Sequence, residues 1–395
     1  MALPPLLPKG ENLCYFQPHQ RQLSQLWPLA HHMRRLKNIT IRGLKSIREQ
    51  TLELDKLNVF IGGNGAGKSN LVGAFQLLHE VVNQRLTDYS IARGGASSLF
   101  HFGRKITSAI EIELSLRLSN SSVLDYKLQI EATDEGLLFV KNEEVNKQAD
   151  GSDNGIILPN SRLESRIKDD RDPLSKQLFS SLDSFRVYHF HDTSETAAVK
   201  GHCAVEDNRL LRPRAENLAA YLYFLQQKHP EHLALIEDTI RQIAPFFDGF
   251  RLAPSRLNED KIRLEWQEKG QDGYFNATAL SDGTLRFICL TTLLLQPEED
   301  LPTVLLLDEP ELGLHPAAVA LLADLLSSCA EKCQVIVATQ SVTLINQLHP
   351  EQVWTVDREN AQSVFRQLNE NSYRQWLDDY SLGELWEKNL LNARP

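Results

Sequence analysis

Five cysteines and two methionines are all the sulfur this 395-residue chain holds. The cysteines, at 14, 203, 289, 329 and 333, are odd in number, and none stands in a C-x-x-C pair. That excludes a disulfide framework and a structural zinc site, and points to a reducing, cytoplasmic setting. No apolar run approaches the ~18 residues of a membrane span, and the N-terminal region lacks a basic start followed by an apolar stretch, so neither a span nor a secretory signal is expected. Positive charge is also short: 42 Lys and Arg stand against 52 Asp and Glu, a formal net charge of −10. A dedicated nucleic-acid coat would carry the opposite sign, although a local basic patch is compatible with an acidic total. Internal repeats and heptad arrays are missing, and ordinary composition excludes collagen-like and wholly disordered chains.

What is present begins irregularly. Residues 1–32 hold Pro4, Pro5, Pro8, Pro18 and Pro28 without sustained periodicity, and include a Glu11–Gln17 stretch like an interrupted protease-tag sequence. Met33 stands directly before the first regular segment, so 1–32 reads as an extraneous or disordered extension, with Met33 an alternative start. From Leu36 the text alternates as strands at 36–42 and 51–54, and 57–61 is a short buried strand. Leu71, Phe75, Leu78 and Val82 then fall at helical spacing. Two antiparallel strands are expected at 106–118 and 123–132. Residues 141–181 are polar and read as a loop or lightly ordered insertion. A strand at 185–190, two helices at 215–228 and 231–244, and short strands around 252 and 261–266 follow. From 280 onward the order is helix, strand, helix, strand, strand, with strands at 304–307, 334–338 and 353–356. Strands alternating with helices imply an α/β fold with a largely parallel sheet.

Gly62-Gly63-Asn64-Gly65-Ala66-Gly67-Lys68-Ser69 matches G-x-x-x-x-G-K-[ST] between an apolar strand and an amphipathic helix. Glycines let successive N–H groups turn inward at a helix N-terminus, a nest for phosphate. Lys68 then reaches the β- and γ-phosphates of a nucleoside triphosphate and Ser69 holds Mg²⁺. The run Val304-Leu305-Leu306-Leu307 ends on Asp308-Glu309-Pro310, two carboxylates where open α/β sheets bind ligands. Asp308 suits the magnesium shell, and Glu309 suits a base or water-orienting group.

Asn64–Asn70 with Leu307–Glu311 resembles the ATP-binding-cassette (ABC) ATPases, specifically the RecF/SMC-like and overcoming-lysogenization-defect branch. Leu280-Ser281-Asp282-Gly283-Thr284 resembles the cassette signature in its expected place before the acidic strand, and Ile39–Ser46 resembles the branch's first hairpin. The resemblance spans about 34–120 and 275–357. It implies a P-loop NTPase head with a mixed sheet, an antiparallel β lobe and a helical insertion. It divides the chain into a first head segment (33–135), an insertion (136–274), a second head segment (275–357) and a helical tail (358–395). It also implies that two copies sandwich two ATP–Mg²⁺, the phosphate loop of one (Gly62, Asn64, Gly65, Ala66, Gly67, Lys68, Ser69, Asn70) facing Ser281 and Gly283 of the other. Lys45 is then a nucleotide contact, and Glu311–His315 is the D-loop at the dimer interface. Where the family carries a switch histidine this chain has Gln340, which can orient water but cannot titrate. The family's Q-loop glutamine is not legible; Arg93–Gly95 and His101–Gly103 occupy about its place.

Other clusters read more plainly. His189 and His191 share one strand face, yet no further ligand has a recognisable spacing, and a structural role is expected. Cys329 and Cys333 read as core, and the aromatic group Trp354, Tyr373, Trp376, Tyr380 and Trp386 as packing for C-terminal helices. About 55 residues follow Gln340, too few for the nuclease module of the overcoming-lysogenization-defect proteins. The expectation is therefore a stand-alone ATPase that dimerises around ATP and gates a separate effector, such as a nuclease, in bacterial defence or DNA maintenance. The alternative is a RecF-like ATPase that binds DNA through Arg34–Arg48 and Arg209–Arg214. A membrane-transporter cassette ranks last, and no membrane partner is expected.

Overall fold

The computed structural model describes residues 35–118, 122–149, 152–158 and 160–391, so the reading of 1–32 lies outside the described residues. The described chain opens with β1 (Arg35–Leu44), β2 (Ile47–Glu53) and β3 (Leu57–Ile61), then α1 (Lys68–Val82) and α2 (Leu86–Ala92). Next come β4 (Ile110–Arg117), β5 (Val123–Ala132), β6 (Leu138–Ala149), β7 (Ser152–Ile157), α3 (Pro173–Asp183), β8 (Arg186–Tyr188) and β9 (His202–Ala204). Helices α4 (Leu218–Lys228) and α5 (Pro230–Ile243) precede β10 (Phe247–Phe250), β11 (Lys261–Arg263), β12 (Glu265–Glu268) and β13 (Tyr274–Asn276). Then follow α6 (Asp282–Leu294), β14 (Val304–Asp308), α7 (Pro316–Ala330), β15 (Gln334–Thr339) and the single-turn α8 (Val342–Ile345). The chain closes with β16 (Val353–Glu359), β17 (Gln362–Gln367), α9 (Glu370–Leu377) and α10 (Leu382–Glu387).

Two six-stranded sheets carry the fold. One has the order β17-β16-β3-β15-β14-β8, parallel except for the β16–β17 hairpin. The other, β2-β1-β4-β5-β6-β7, is antiparallel throughout. Strands β3, β14 and β15 are apolar on both faces because each face meets a different core. Val59, Leu305, Leu307, Val335 and Val337 pack with helices α4, α6 and α7, while Phe60, Leu306 and Ile336 pack with α1 and the antiparallel sheet. Helix starts follow local chemistry: Ser281 caps α6 by accepting from Thr284 N–H at 3.2 Å, and Pro316 occupies the first turn of α7, where its missing N–H costs nothing.

Buried Gln334 joins the sheets at a bulge in β1. Its Oε1 accepts from Leu36 N–H, and its Nε2 donates to the carbonyls of Leu36 and Asp55, each at 2.9 Å. Gln334→Leu keeps the volume but strands these backbone groups, so a destabilisation of about 2–4 kcal/mol is expected from the cost of unsatisfied buried groups. Urea unfolding checks it, and an unchanged midpoint would contradict the assignment.

Three expectations are corrected. The polar stretch 141–181 is not a loop: it forms most of β6, then β7 and α3. These are the outer strands of a sheet with one solvated face: Val140, Glu143 and Val145 are buried, the register shifting between Val140 and Asn142, and the residues between them are polar. Asp150 and Gly151, between β6 and β7, lie outside the described residues. The segment from 358 is not purely helical, since β16 continues to Glu359 and β17 follows before α9 and α10. Among the short strands, β10 ends at Phe250, ahead of the expected Leu252.

Candidate nucleotide-binding site

The glycine loop leaves the fully buried β3 and enters α1, which has no side-chain N-cap, so its first amides are available to an anion. Its glycines serve different needs. A Cβ on Gly62 would run into the main chain of Val356, and Gly65 (φ 78°) needs the left-handed backbone although open space surrounds it. Gly67 needs both: its φ is 122°, and a Cβ there would collide with Ser363. Lys68 is 5% exposed, and its Nζ donates to the carbonyls of Gly62 (2.5 Å) and Gly63 (3.1 Å). Burial lowers its pKa, partly countered by Glu309, Asp308 and Glu311. Ser69 is exposed on the first turn.

Asn70 faces away from the loop mouth. Its Nδ2 donates to Ser46 Oγ at 2.6 Å, Ser46 Oγ bonds Ser363 Oγ at 2.6 Å, and Ser363 Oγ donates to Ala66 O at 2.5 Å. This chain ties the β1–β2 turn and β17 to the loop, and Ser363 N–H donates to Ser46 O at 2.7 Å. Lys45 (φ 47°) follows in the same turn, with Nζ over Gly73 of α1; burial, then Arg93, lowers its pKa.

On the acidic side, burial and then Glu309 push the Asp308 carboxyl above its usual range. Glu309 sits at φ 44°, an uncommon backbone for a non-glycine residue, fixed by its N–H to Ala338 O at 2.7 Å. Gln340 Nε2 donates to Glu309 Oε1 and, at 3.0 Å, to Asn64 Oδ1. The structure thus brings Asn64, Glu309 and Gln340 together beside Lys68.

Ser281 and Gly283 make no described contact with the loop of their own chain. They open α6 against the segment after β14, where a Cβ on Gly283 would stand 2.6 Å from Gly313 O. In that segment Leu312 is exposed, whereas Glu311 turns inward, accepting from Thr339 Oγ1 (2.5 Å) and Gln340 N–H (3.2 Å). Burial raises its pKa.

Several residues enter that sequence reading did not assign to the site. His191 Nε2 lies 2.8 Å from Asp308 O, and His189 Nδ1 3.7 Å from Asp308 Oδ2. Arg286 of α6 donates to the carbonyls of Phe190 (3.1 Å), His191 (2.9 Å) and Leu312 (2.9 Å), joining α6 to both acidic-side turns. The i, i+2 histidine pair was the available signal. The two segments noted for the Q-loop lie apart: Arg93 donates to Gln76 of α1 at 2.8 Å, and His101 Nδ1 holds Lys45 O at 2.6 Å.

The site fits a triphosphate and a hard cation. Left-handed glycines and uncapped amides form an anion cradle, and oxygen donors at Ser69 and Asp308 suit Mg²⁺. Among the described residues no three His, Cys, Asp or Glu side chains gather as a cation cage.

Residues 57–346 match the model of a family described as an AAA domain, putative AbiEii toxin, Type IV TA system. The chain belongs to this AAA-domain family. The AAA-domain chain is also 35% identical over 85 residues to the DNA replication and repair protein RecF of Acidothermus cellulolyticus. That match spans 21% of this chain and 23% of the relative. In fold it is similar to the Smc head bound to the C-winged helix domain of ScpA, with TM-score 0.59 and 15% identity over 86% of this chain and 99% of that one. A Smc head with an extended coiled coil bound to the C-terminal domain of ScpA from Pyrococcus furiosus gives TM-score 0.57 and 14% identity over 88% and 99%. Its α/β fold is the SMC-head-like one expected from its motifs. No helix among the described residues is long and apolar enough to cross a membrane.

Proposed function

We propose that the protein binds and hydrolyses ATP with Mg²⁺, dimerises around two nucleotides, and passes that cycle to a separate effector. The observation that carries this reading is the convergence of Lys68, Asp308, Glu309, Gln340 and Asn64 at the ends of adjacent strands β3, β14 and β15. In it the loop amides and Lys68 take the β- and γ-phosphates, and Ser69 and Asp308 would hold Mg²⁺, which supplies charge neutralisation on the phosphates. Glu309 accepts a proton from the attacking water, and Gln340 orients that water and the Glu309 carboxylate. Lys45 reaches the nucleotide from the α1 side. Ser281 and Gly283 complete the site of a second copy, which accounts for their separation from their own loop.

The family description, a putative AbiEii toxin of a Type IV TA system, supports an effector or antagonist as partner. The ScpA complexes of similar heads support a protein partner on this fold. Direct DNA binding is the second reading, favoured by the RecF match. Against it, Arg42 is engaged by Glu49, Glu111 and Glu113, and Arg212 by Asp207.

Calorimetry with a non-hydrolysable ATP analogue and Mg²⁺ tests the proposal. Saturable binding in the micromolar range is expected, with a shift from monomer to dimer in chromatography, and no heat at millimolar ligand would overturn it. Hydrolysis stimulated by DNA, with steep salt dependence, would favour the second reading.

A further inference from the structure

The turn that follows β8 braces the acidic end of β14 through two histidines, and hydrogen-bond bookkeeping assigns the proton on each ring. Arg93 has donors only, so its Nη2, 2.8 Å from Gln76 Oε1, fixes that oxygen as the acceptor. The other end of the Gln76 amide is then the NH₂ group, which can only donate. It lies 3.1 Å from His189 Nε2, which must accept. A ring that accepts at Nε2 is not the doubly protonated imidazolium. A neutral imidazole that accepts at Nε2 carries its proton on Nδ1. Nδ1 is the atom that faces Asp308 Oδ2, at 3.7 Å an electrostatic approach rather than a hydrogen bond. His191 is the opposite case: its Nε2 faces the main-chain O of Asp308 at 2.8 Å, so its proton is on Nε2. The turn bearing both rings is clamped by Arg286 through the carbonyls of Phe190 and His191.

We propose that His189 is a positioning residue for Asp308, its Nδ1–H held toward the carboxylate by the Arg93–Gln76 chain on the other ring nitrogen so that Asp308 is oriented for a divalent cation. This rests on the Mg²⁺–nucleotide reading of the site. With a proton on Nδ1 the ring has no lone pair facing the site, so His189 acts through the carboxylate and is not itself a cation ligand. Such an outer partner orients a ligating carboxylate. Gln76 lies on the same side of α1 as Ser69 and Gly73, so the chain spans both elements that would hold the cation.

Two measurements test it. Nitrogen-15 NMR of the histidine rings in the wild-type protein should show His189 protonated at Nδ1 and bare at Nε2; the reverse tautomer would overturn the proposal without recourse to any variant. Separately, Mn²⁺ binding is followed by electron paramagnetic resonance with the ATP analogue present. His189→Ala should weaken Mn²⁺ by about 10–100-fold, with the affinity for analogue in EDTA unchanged. His189→Asn, whose amide N–H lies close to the position of Nδ1, should recover most of the loss. Equal Mn²⁺ affinity in the wild type and His189→Ala, or equal loss in the Ala and Asn variants, overturns the positioning role. A wild type that binds no analogue at all instead overturns the nucleotide reading on which it rests.

Discussion

Glu309→Gln is expected to reduce ATP turnover by about 10²–10⁴-fold, the usual contribution of a general base, while nucleotide stays bound. The substitution keeps the shape of the side chain and removes its basicity. Its new amide presents its oxygen to Gln340 Nε2, the donor that Glu309 Oε1 now receives, so the orientation survives. The backbone at φ 44° and the bond to Ala338 O do not depend on the side chain. Removing one of two adjacent carboxylates also lessens repulsion, since Glu309 contributes to raising the Asp308 pKa. The variant should therefore accumulate as an ATP-bound dimer. Phosphate release measures the first effect, and chromatography with ATP and Mg²⁺ the second. Undiminished turnover would remove Glu309 as the base, and a monomer under all conditions would remove the nucleotide sandwich.

The parts of this molecule legible in its sequence are those whose chemistry is contiguous. Residues 57–61, 304–307 and 334–338 are unbroken apolar runs because each strand is covered on both faces, and the glycine loop and acidic strand end sit directly on two of them. Strands β6 and β7 were obscured for the converse reason. On a sheet with one solvated face, a segment such as Lys141–Glu144 carries polar residues at most positions. Its buried Glu143 looks like any other surface carboxylate until Tyr126 and Ser165 are seen to donate to it, each at 2.7 Å. The supports of the site are illegible because they come from far along the chain. Ser363 lies 317 residues from Ser46 and 297 from Ala66, and no local pattern marks it. His189 is 113 residues from Gln76, and only the topology that seats β8 beside β14 joins them to Asp308. Glu311, first residue of the expected interface segment, turns inward so that its Oε1 accepts from Thr339 and Gln340, contacts that no local pattern marks.

Gly67→Ala should abolish nucleotide binding, a loss of at least about 100-fold, and the reason can be separated experimentally from simple crowding. At φ 122° an alanine suffers backbone strain of about 1–3 kcal/mol wherever its side chain points. Its Cβ also meets Ser363, whose hydroxyl donates to Ala66 O and bonds Ser46. Either relief route spoils the cradle: returning φ to negative values turns the peptide N–H groups out of the loop, and pushing Ser363 away releases the β17 tether. The double variant Gly67→Ala/Ser363→Gly removes the steric partner but not the backbone strain, so binding should remain lost. Ser363→Gly alone should weaken binding far less, because the loop keeps its own glycine geometry. Calorimetry on the three variants checks this, with circular dichroism to establish that each is folded. Recovery in the double variant would mean that space beside Ser363, rather than the left-handed backbone, is what the loop requires of Gly67.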